Sequence, residues 1–456
     1  MLDLALTGFV FLFLALGVRR PFLWVLVYLY VDIVSPQKIS YQLLASLPIS
    51  LIAFVAAFGG WIMTDDKANG RFGVRQALLL LLLLYCTIST FTADFPDDAW
   101  AKWGWVWKAM VFAVFLPLTL TTRLRIEATT LVMVLSVASI IITGAIKTLA
   151  SGGGYGELHF FVNDNTGLYE GSIISAVAVS VVPLIIWLTK HGTIFPADWR
   201  VKLFALALSC SCLLIPVGTQ ARTGLLCIGL LGVLSLRTVK NRFLYVGVLC
   251  AAAVMAIPFL PKSFTDRMST IENHQADQSA STRLAVWAWT LDYVKEHPLG
   301  GGFDAFRGNK LRIQVTDAKS SGNTTSVESN QVTDQARAYH SSYFEMLGEQ
   351  GWPGLFIWLL IHVTGLWQME RLRARWKRRT GPDEQWQAPL ATALQQTQLI
   401  YLLGAAFVGI AFLPFILMVV GLQCALSSYL HRVDSPIRRA NREKAAMKPV
   451  KAVAAN

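Results

Sequence analysis

Long apolar runs alternate with short polar segments along most of the chain. Most runs approach the roughly 20 residues that a helix needs to cross the core of a bilayer. We predict an all-α fold, a polytopic transmembrane helical bundle of about 12 spans, in which residues 2–34 form either two spans or one broken span. The apolar runs lie near residues 2–18, 21–34, 41–63, 74–91, 104–121, 127–148, 168–189, 201–217, 222–236, 241–260, 351–367, 395–412 and 413–430.

One polar segment, residues 261–342, is much longer than the others. Within it, the stretch STRLAVWAWTLDYVKEHPLGGGF (281–303) has apolar residues at spacings of three and four, which predicts an amphipathic helix. A proline and three glycines end this helix, and the small polar residues 319–330 predict a mobile stretch. The predicted division is a transmembrane bundle (1–260), a large periplasmic loop region containing helices (261–342), and C-terminal transmembrane helices with a basic tail (343–456).

Positively charged residues concentrate in alternate loops, and their placement predicts the topology. Lysine and arginine are enriched in the cytoplasmic loops of membrane proteins. We therefore expect the basic loops in the cytoplasm and the 261–342 region in the periplasm. This pattern accounts for the net charge of +12 without nucleic-acid binding, which we do not expect. The basic segments are residues 65–75, 121–127, 190–202, 237–242, 370–380 and the tail from Arg432.

Composition excludes several other classes of protein. Hydrophobic residues make up 54% of the chain and charged residues only 15%, against about 25% in globular domains. All six cysteines lie inside apolar runs, so neither a disulfide framework nor a zinc site is predicted. The first run does not resemble a cleaved signal peptide, because its basic residues, Arg19 and Arg20, follow it. The polar loops contain no metal-ligand spacing, GxSxG motif or P-loop, so we expect no metal or other cofactor.

Two arginines stand where a positive charge is costly. Arg283 falls in the first turn of the predicted 281–303 helix, whose positive dipole end disfavours a cation unless an anion also binds there. Arg222 stands between two apolar runs at the membrane boundary, where burying a charge costs roughly 2.5–3.5 kcal/mol. Both arginines therefore predict an anion-binding site. The alternative for Arg283 is contact with lipid phosphates, and the alternative for Arg222 is a structural ion pair.

His340 stands at the end of the long polar segment, just before an apolar run. Its imidazole can accept a proton at neutral pH, which makes it a candidate general base, although a lone histidine can also be structural. In a straight helix beginning at His340, Glu349 points to the opposite side, so a His–Glu dyad is not expected. Further candidates for substrate binding are Arg337, Tyr339 and Tyr343. Candidates for structural residues near the site are Glu349, Gly351 and Gly354.

Three stretches resemble motifs of the O-antigen ligase and O-antigen polymerase superfamily. They are QARTGLL with Arg222, STRLAVWAWTLDYVKEHPLGGGFDAF with Arg283, and HSSYFEMLGEQGWPG with His340. Their order and the long loop between late spans are also similar, and the likeness covers most of the chain. The N-terminal stretch RRPFLWVLVYLYVDIVSPQK resembles the branch of this superfamily described as O-glycosylation ligases.

The resemblance implies an inverting, metal-independent glycosyltransferase at the periplasmic face of a Gram-negative inner membrane. Such an enzyme, an O-antigen ligase of lipopolysaccharide biosynthesis, moves a glycan from undecaprenyl diphosphate to the lipid A–core oligosaccharide. By this resemblance Arg222 and Arg283 bind the diphosphate, and His340 takes the proton of the acceptor hydroxyl. The motifs leave open a glycan polymerase and a protein O-oligosaccharyltransferase of the same superfamily.

A transporter or flippase for lipid-linked sugars is the alternative from another functional class. It predicts charged residues along mid-membrane spans and an inverted repeat, and the sequence shows neither pattern. A transporter also has little need for a loop as long as residues 261–342. The sequence therefore favours the transferase.

Overall fold

The computed structural model describes residues 2–65, 67, 72–153, 167–237, 241–242, 247, 278–321 and 324–434. Helices dominate these residues, as the apolar runs predict. The α-helices of the described residues are α1 (Leu2–Arg19), α2 (Phe22–Val34), α3 (Pro36–Ile39), α4 (Ile49–Thr64), α5 (Val74–Phe91), α6 (Pro96–Thr119), α7 (Arg123–Ser151), α8 (Gly171–His191), α9 (Trp199–Gly218), α10 (Arg222–Leu236), α11 (Gln278–Glu296), α12 (Ser342–Trp376), α13 (Gln387–Ala405) and α14 (Pro414–Val433).

The long polar segment contains a β-hairpin as well as the predicted helix, which is α11. Strand β1 (Lys310–Ser321) pairs antiparallel with strand β2 (Thr324–Gln335). The all-α prediction is confirmed for most of the described residues, but these two strands were not predicted. Residues 319–321 and 324–330, which were expected to be mobile, belong to the strands. The sequence does carry a strand signal, because KLRIQVT (310–316) alternates polar and apolar residues and is rich in β-branched types.

Five of the helices are long and apolar enough to cross a membrane, namely α5, α7, α8, α9 and α14. Three shorter apolar helices, α2, α4 and α10, accompany them. The chain is therefore a helical membrane protein, while the total of about 12 spans stays a prediction. The predicted run at 241–260 lies largely outside the described residues.

The basic loops meet at one end of the bundle, which we call the basic end. The Arg125 guanidinium forms two hydrogen bonds with the Asp65 carboxylate, at 2.6 and 2.8 Å. Arg123 donates to the His191 carbonyl oxygen at 2.9 Å. Loops that are far apart in sequence, beginning near residues 65, 121 and 191, therefore lie side by side.

The opposite end gathers the loops predicted to face the periplasm. The Asp94 amide donates to the Gly301 carbonyl oxygen at 2.9 Å, and Arg307 pairs with Asp98 at 2.9 Å. This grouping of loops at two ends agrees with the charge pattern of the sequence. The side of the membrane that each end occupies stays a prediction.

One guanidinium lies inside the bundle, which the sequence reasoning did not anticipate. Arg75, in the first turn of α5, is 5% exposed and donates to Gln423 of α14 at 2.8 Å and to Gln368 of α12 at 3.3 Å. Gly365 leaves room for this side chain, because a Cβ there would lie 2.4 Å from the guanidinium. The buried charge is thus hydrogen-bonded, and its contacts hold α5, α12 and α14 together.

Candidate functional site

The second and third sequence motifs dock on each other at the end opposite the basic end. The Gly301 amide donates to the Gly348 carbonyl oxygen at 3.0 Å, and the Gly302 amide donates to the Glu349 carbonyl oxygen at 2.9 Å. These bonds tie the loop after α11 to the first part of α12. The two elements that carry Arg283 and His340 are thereby held together as one unit.

α12 bends at Gly351, whose φ of +61° and ψ of −167° are not helical. A Cβ at this position would lie 2.3 Å from the Pro298 carbonyl oxygen, so only glycine fits. The Trp352 amide donates to the same oxygen at 3.1 Å. Gly354 is also closely packed, because a Cβ there would lie 2.2 Å from the Gln350 side chain. The bend divides α12 into a short helix, 342–350, and a long second part.

His340 lies outside α12, which begins at Ser342. Its φ is +47°, a left-handed conformation that residues other than glycine rarely adopt. A straight helix beginning at His340 therefore does not form, because this residue turns the chain into α12 instead of belonging to it. A strained backbone conformation of this kind is frequent at functional positions.

Arg283 lies on the side of α11 that packs against the chain around His340. The Trp287 indole, one helical turn after Arg283, donates to the Tyr339 carbonyl oxygen at 2.9 Å. The same indole stacks on Phe344 with ring centroids 4.9 Å apart. Because residues four apart share one face of a helix, the contacts of Trp287 place Arg283 on this face too.

Two positive charges and burial act on the His340 imidazole. Burial lowers the pKa of His340 below its ordinary value, and the positive charges of Arg283 and Arg337 lower it further. A lowered pKa keeps the imidazole neutral at pH 7, which is the form that accepts a proton. The structure thus brings Arg283, Arg337 and His340 together, and we call these three residues the arginine–histidine site.

Arg222 is the first residue of α10 and lies at the same end of the bundle. α10 packs on α13, where the Cys227 thiol lies 3.6 Å from the Ile400 carbonyl oxygen. Two residues further along α13, the Leu402 carbonyl oxygen accepts a hydrogen bond from Tyr343 at 3.2 Å. α13 therefore connects the helix that begins at Arg222 with the start of α12.

Like Tyr343, the predicted substrate-binding residues Arg337 and Tyr339 already have contacts within the protein. The Arg337 side chain is half-exposed and pairs with Asp334. Tyr339 is 2% exposed, and its hydroxyl packs against Gly348. These contacts fix the segment that leads into α12. The substrate contacts of Arg337, Tyr339 and Tyr343 stay predictions.

The structure adds a group of charged residues that the sequence reasoning missed. The Lys102 ammonium of α6 lies 2.7 Å from Glu349 Oε1 and 2.8 Å from Glu345 Oε1. Its distance to Asp304 Oδ1 is 3.5 Å. The Glu349 side chain is fully buried, and its Oε1 also accepts from the Asp304 amide at 3.0 Å. We call Lys102, Asp304, Glu345 and Glu349 the Lys102 cluster, which joins α6, α12 and the loop after α11.

Burial and charge act in opposite directions within this cluster. Burial by itself would lower the pKa of Lys102, but the three carboxylates raise it above its ordinary value, so Lys102 stays positively charged. Burial raises the pKa of Glu349 above its ordinary value, and Lys102 opposes this rise. The structural role proposed for Glu349 therefore involves Lys102 as well as the turn at Gly351.

Lys102 was missed because residues 92–103 lie between two predicted apolar runs, 74–91 and 104–121. In the structure, α6 begins earlier than the second of these runs, at Pro96. The sequence does contain the signal for this start, since proline at the first position and acidic residues in the first turn favour a helix. That signal places Lys102 on a helix, but its glutamate partners are 243 and 247 residues away in sequence.

A cavity of about 560 Å³ opens beside the Lys102 cluster, and we call it the Lys102 cavity. Its volume falls in the range of small-molecule sites, roughly 300–1,000 Å³. Trp105, which is 40% exposed, forms part of its wall. Charges of both signs line this cavity, namely Asp32, Asp98, Asp304, Glu345, Lys38, Lys102 and Arg307.

Among the residues that the structure describes, no group of three His, Cys, Asp or Glu side chains could hold a metal ion. The glutamates of the Lys102 cluster share an ammonium group instead. The absence of a metal or other cofactor from the reaction stays a prediction.

Comparison with known families identifies two parts of the chain. Residues 204–359 match the family described as O-Antigen ligase, and this range contains Arg222, Arg283 and His340. Residues 1–193 match a family of unknown function, DUF5935. No curated protein matches the chain. The resemblance to the O-antigen ligase and polymerase superfamily is therefore confirmed.

Proposed function

We propose that this protein is an O-antigen ligase, an inverting, metal-independent glycosyltransferase that moves O-antigen glycan from undecaprenyl diphosphate to the lipid A–core oligosaccharide. The observation that carries the proposal is the arginine–histidine site, in which Arg283, on the face of α11 that contacts the segment of His340, lies near a partly buried imidazole at one end of an apolar bundle. Guanidinium groups match phosphate oxygens, and a neutral imidazole accepts a hydroxyl proton. The apolar helices suit the polyprenyl chain of the donor.

In the proposed reaction, a hydroxyl of the acceptor attacks the anomeric carbon of the donor glycan from the side opposite the diphosphate. The new carbon–oxygen bond forms while the bond to the diphosphate breaks, so the configuration inverts. His340 accepts the hydroxyl proton, and undecaprenyl diphosphate leaves with the bonding electron pair. Arg283 and Arg222 stabilise the charge that builds on the diphosphate in the transition state.

The Lys102 cavity is the proposed place for sugar residues next to the reacting bond. One carboxylate of its wall, that of Glu345, projects from the short helix 342–350, which begins two residues after His340. Its lining includes four acidic and three basic side chains, so it does not attract a diphosphate. Paired charges and an aromatic wall suit an uncharged ligand with many hydroxyl groups, such as a glycan.

The decisive experiment uses purified protein with an undecaprenyl-diphosphate glycan and three acceptors, which are lipid A–core, a second lipid-linked glycan and a protein. We expect lipid A–core to become glycosylated, with inverted configuration and without added metal. Extension of the lipid-linked glycan would establish a polymerase instead, and modification of the protein would establish a protein O-oligosaccharyltransferase. Movement of the intact donor across a vesicle membrane without transfer would favour a flippase.

The proposed location is the Gram-negative inner membrane, with the site at the periplasmic face. Single cysteines introduced as Ser321→Cys and Thr380→Cys test this orientation in intact and permeabilised cells. We expect a membrane-impermeant thiol reagent to label position 321 from the periplasm and position 380 only after permeabilisation. Labelling of both positions from the same side would refute this topology.

A further inference from the structure

A second cavity, of about 400 Å³, lies at the basic end between the ends of α8, α10 and α12 and the start of α13, and we call it the basic-end pocket. It has an apolar wall and a cationic rim. The wall includes Pro183, Ile186 and Trp187 of α8 and Ala388, Pro389 and Ala393 of α13. The rim contains Lys190, His191, Arg237, Arg373 and Lys377.

The rim carries a surplus of positive charge. Arg237 and Arg373 share a single carboxylate, that of Glu370, at 3.0 and 2.5 Å. In the part of the chain that the structure describes, no carboxylate lies within salt-bridge distance of Lys190 or Lys377. Four permanent cations with one carboxylate leave three uncompensated positive charges around one pocket.

Helix ends explain only part of this arrangement. Lys190 lies in the last turn of α8, Arg237 caps α10, and Arg373 lies in the last turn of α12. Cations at helix C-termini offset the partial negative charge there, which amounts to about half a unit per helix. Three helix ends thus offset about half of the surplus, and they do not explain why the cations surround an apolar wall.

We propose that the basic-end pocket binds one anionic phospholipid. The lipid phosphate lies among Lys190, Arg237 and Lys377, and the beginning of an acyl chain lies along the apolar wall. Ammonium and guanidinium groups bind phosphate oxygens, and basic pockets between membrane helices suit anionic headgroups. A free phosphate ion has the same charge chemistry, but only a lipid also buries hydrocarbon against α8 and α13.

The test measures lipid binding to the full-length protein by native mass spectrometry in a neutral detergent. Dioleoyl phosphatidylglycerol is compared with dioleoyl phosphatidylethanolamine, which has the same acyl chains, and with free glycerol phosphate. We expect phosphatidylglycerol to bind best. The variant K190Q/K377Q is expected to lose about fivefold in affinity for each removed charge, roughly 25-fold in total.

The matched control is R371Q/R378Q, which removes two exposed charges near the same end but outside the pocket. We expect it to change phosphatidylglycerol affinity by less than about twofold. Equal affinity for the two lipids, or equal losses in both variants, would refute the site. Equal competition by glycerol phosphate would establish an anion site and refute a lipid site. Because no transfer activity is measured, the result is independent of the proposed function.

Discussion

The short helix 342–350 lies between two charged regions of opposite character. On one side, the arginine–histidine site places positive charge next to a partly buried imidazole. On the other side, the Lys102 cluster surrounds one ammonium with three carboxylates. The first region combines two guanidiniums with one imidazole, whereas the second surrounds its single cation with carboxylates. We therefore expect chemistry at the arginine–histidine site and a structural role for the Lys102 cluster.

The largest expected effect comes from His340→Ala, which removes the proposed general base. Loss of such a group typically lowers the rate by about 10²–10⁴-fold. We expect the variant to insert and fold like the natural protein while transfer falls by this factor. The matched control is His297→Ala, because His297 is an exposed histidine at the end of α11 that stacks on Tyr293. Similar activities for the two variants would show that His340 is not the general base.

Lys102→Ala tests the other side of the comparison, and we expect its main effect on stability. Removing one partner of a buried ion pair leaves an uncompensated charge and costs about 3–5 kcal/mol. The measurement is the free energy of unfolding in mixed detergent micelles. Lys295→Ala is the control, since its pair with Asp292 is exposed and such pairs contribute about 1 kcal/mol or less. Equal losses of stability in the two variants would show that the Lys102 cluster is not a structural anchor.

Arg283→Lys and Arg222→Lys test whether both arginines bind one diphosphate. The positive charge is kept, but lysine lacks the planar fork that matches phosphate oxygens. We expect each change to lower turnover by roughly tenfold, with a non-additive effect in the double variant, because both groups act on one ligand. The measurement is kcat and KM for the donor. Two results would contradict a shared diphosphate: full activity in both single variants, or an effect of the double variant that equals the product of the two single effects. Either result would mean that the arginines only anchor the loop.

The smallest expected effect concerns the pH dependence of transfer. His340 has a pKa lowered from its ordinary 6.5, so its neutral form persists to a lower pH and kcat/KM should fall only below that value. Arg283→Gln removes a positive charge beside His340, so we expect the acidic limb of the pH profile to move upward. Arg283→Lys keeps the charge and should leave the limb nearly in place. Identical profiles for the two variants would exclude an electrostatic link between Arg283 and His340.

Local features of the chain were largely readable from its sequence. The apolar runs predicted most of the described helices, and the three- and four-residue spacing within 281–303 predicted α11, which spans Gln278–Glu296. The glycines at 351 and 354 were predicted to be structural residues near the site, and both have a steric reason for being glycine. These features depend on residues within a few turns of each other, so periodicity and residue type are enough to indicate them.

The features that tertiary structure decided are contacts between distant segments. Lys102 meets its glutamate partners across 243 and 247 residues, and no local pattern encodes which carboxylate a lysine will reach after α6 packs. The same holds for the left-handed backbone of His340, which depends on how α11 docks on α12. The sequence by itself therefore determined a membrane-embedded helical chain with three family motifs. Packing decided that Arg283 and His340 share one site and that Lys102 belongs to another, because charges far apart in sequence are paired only by the fold.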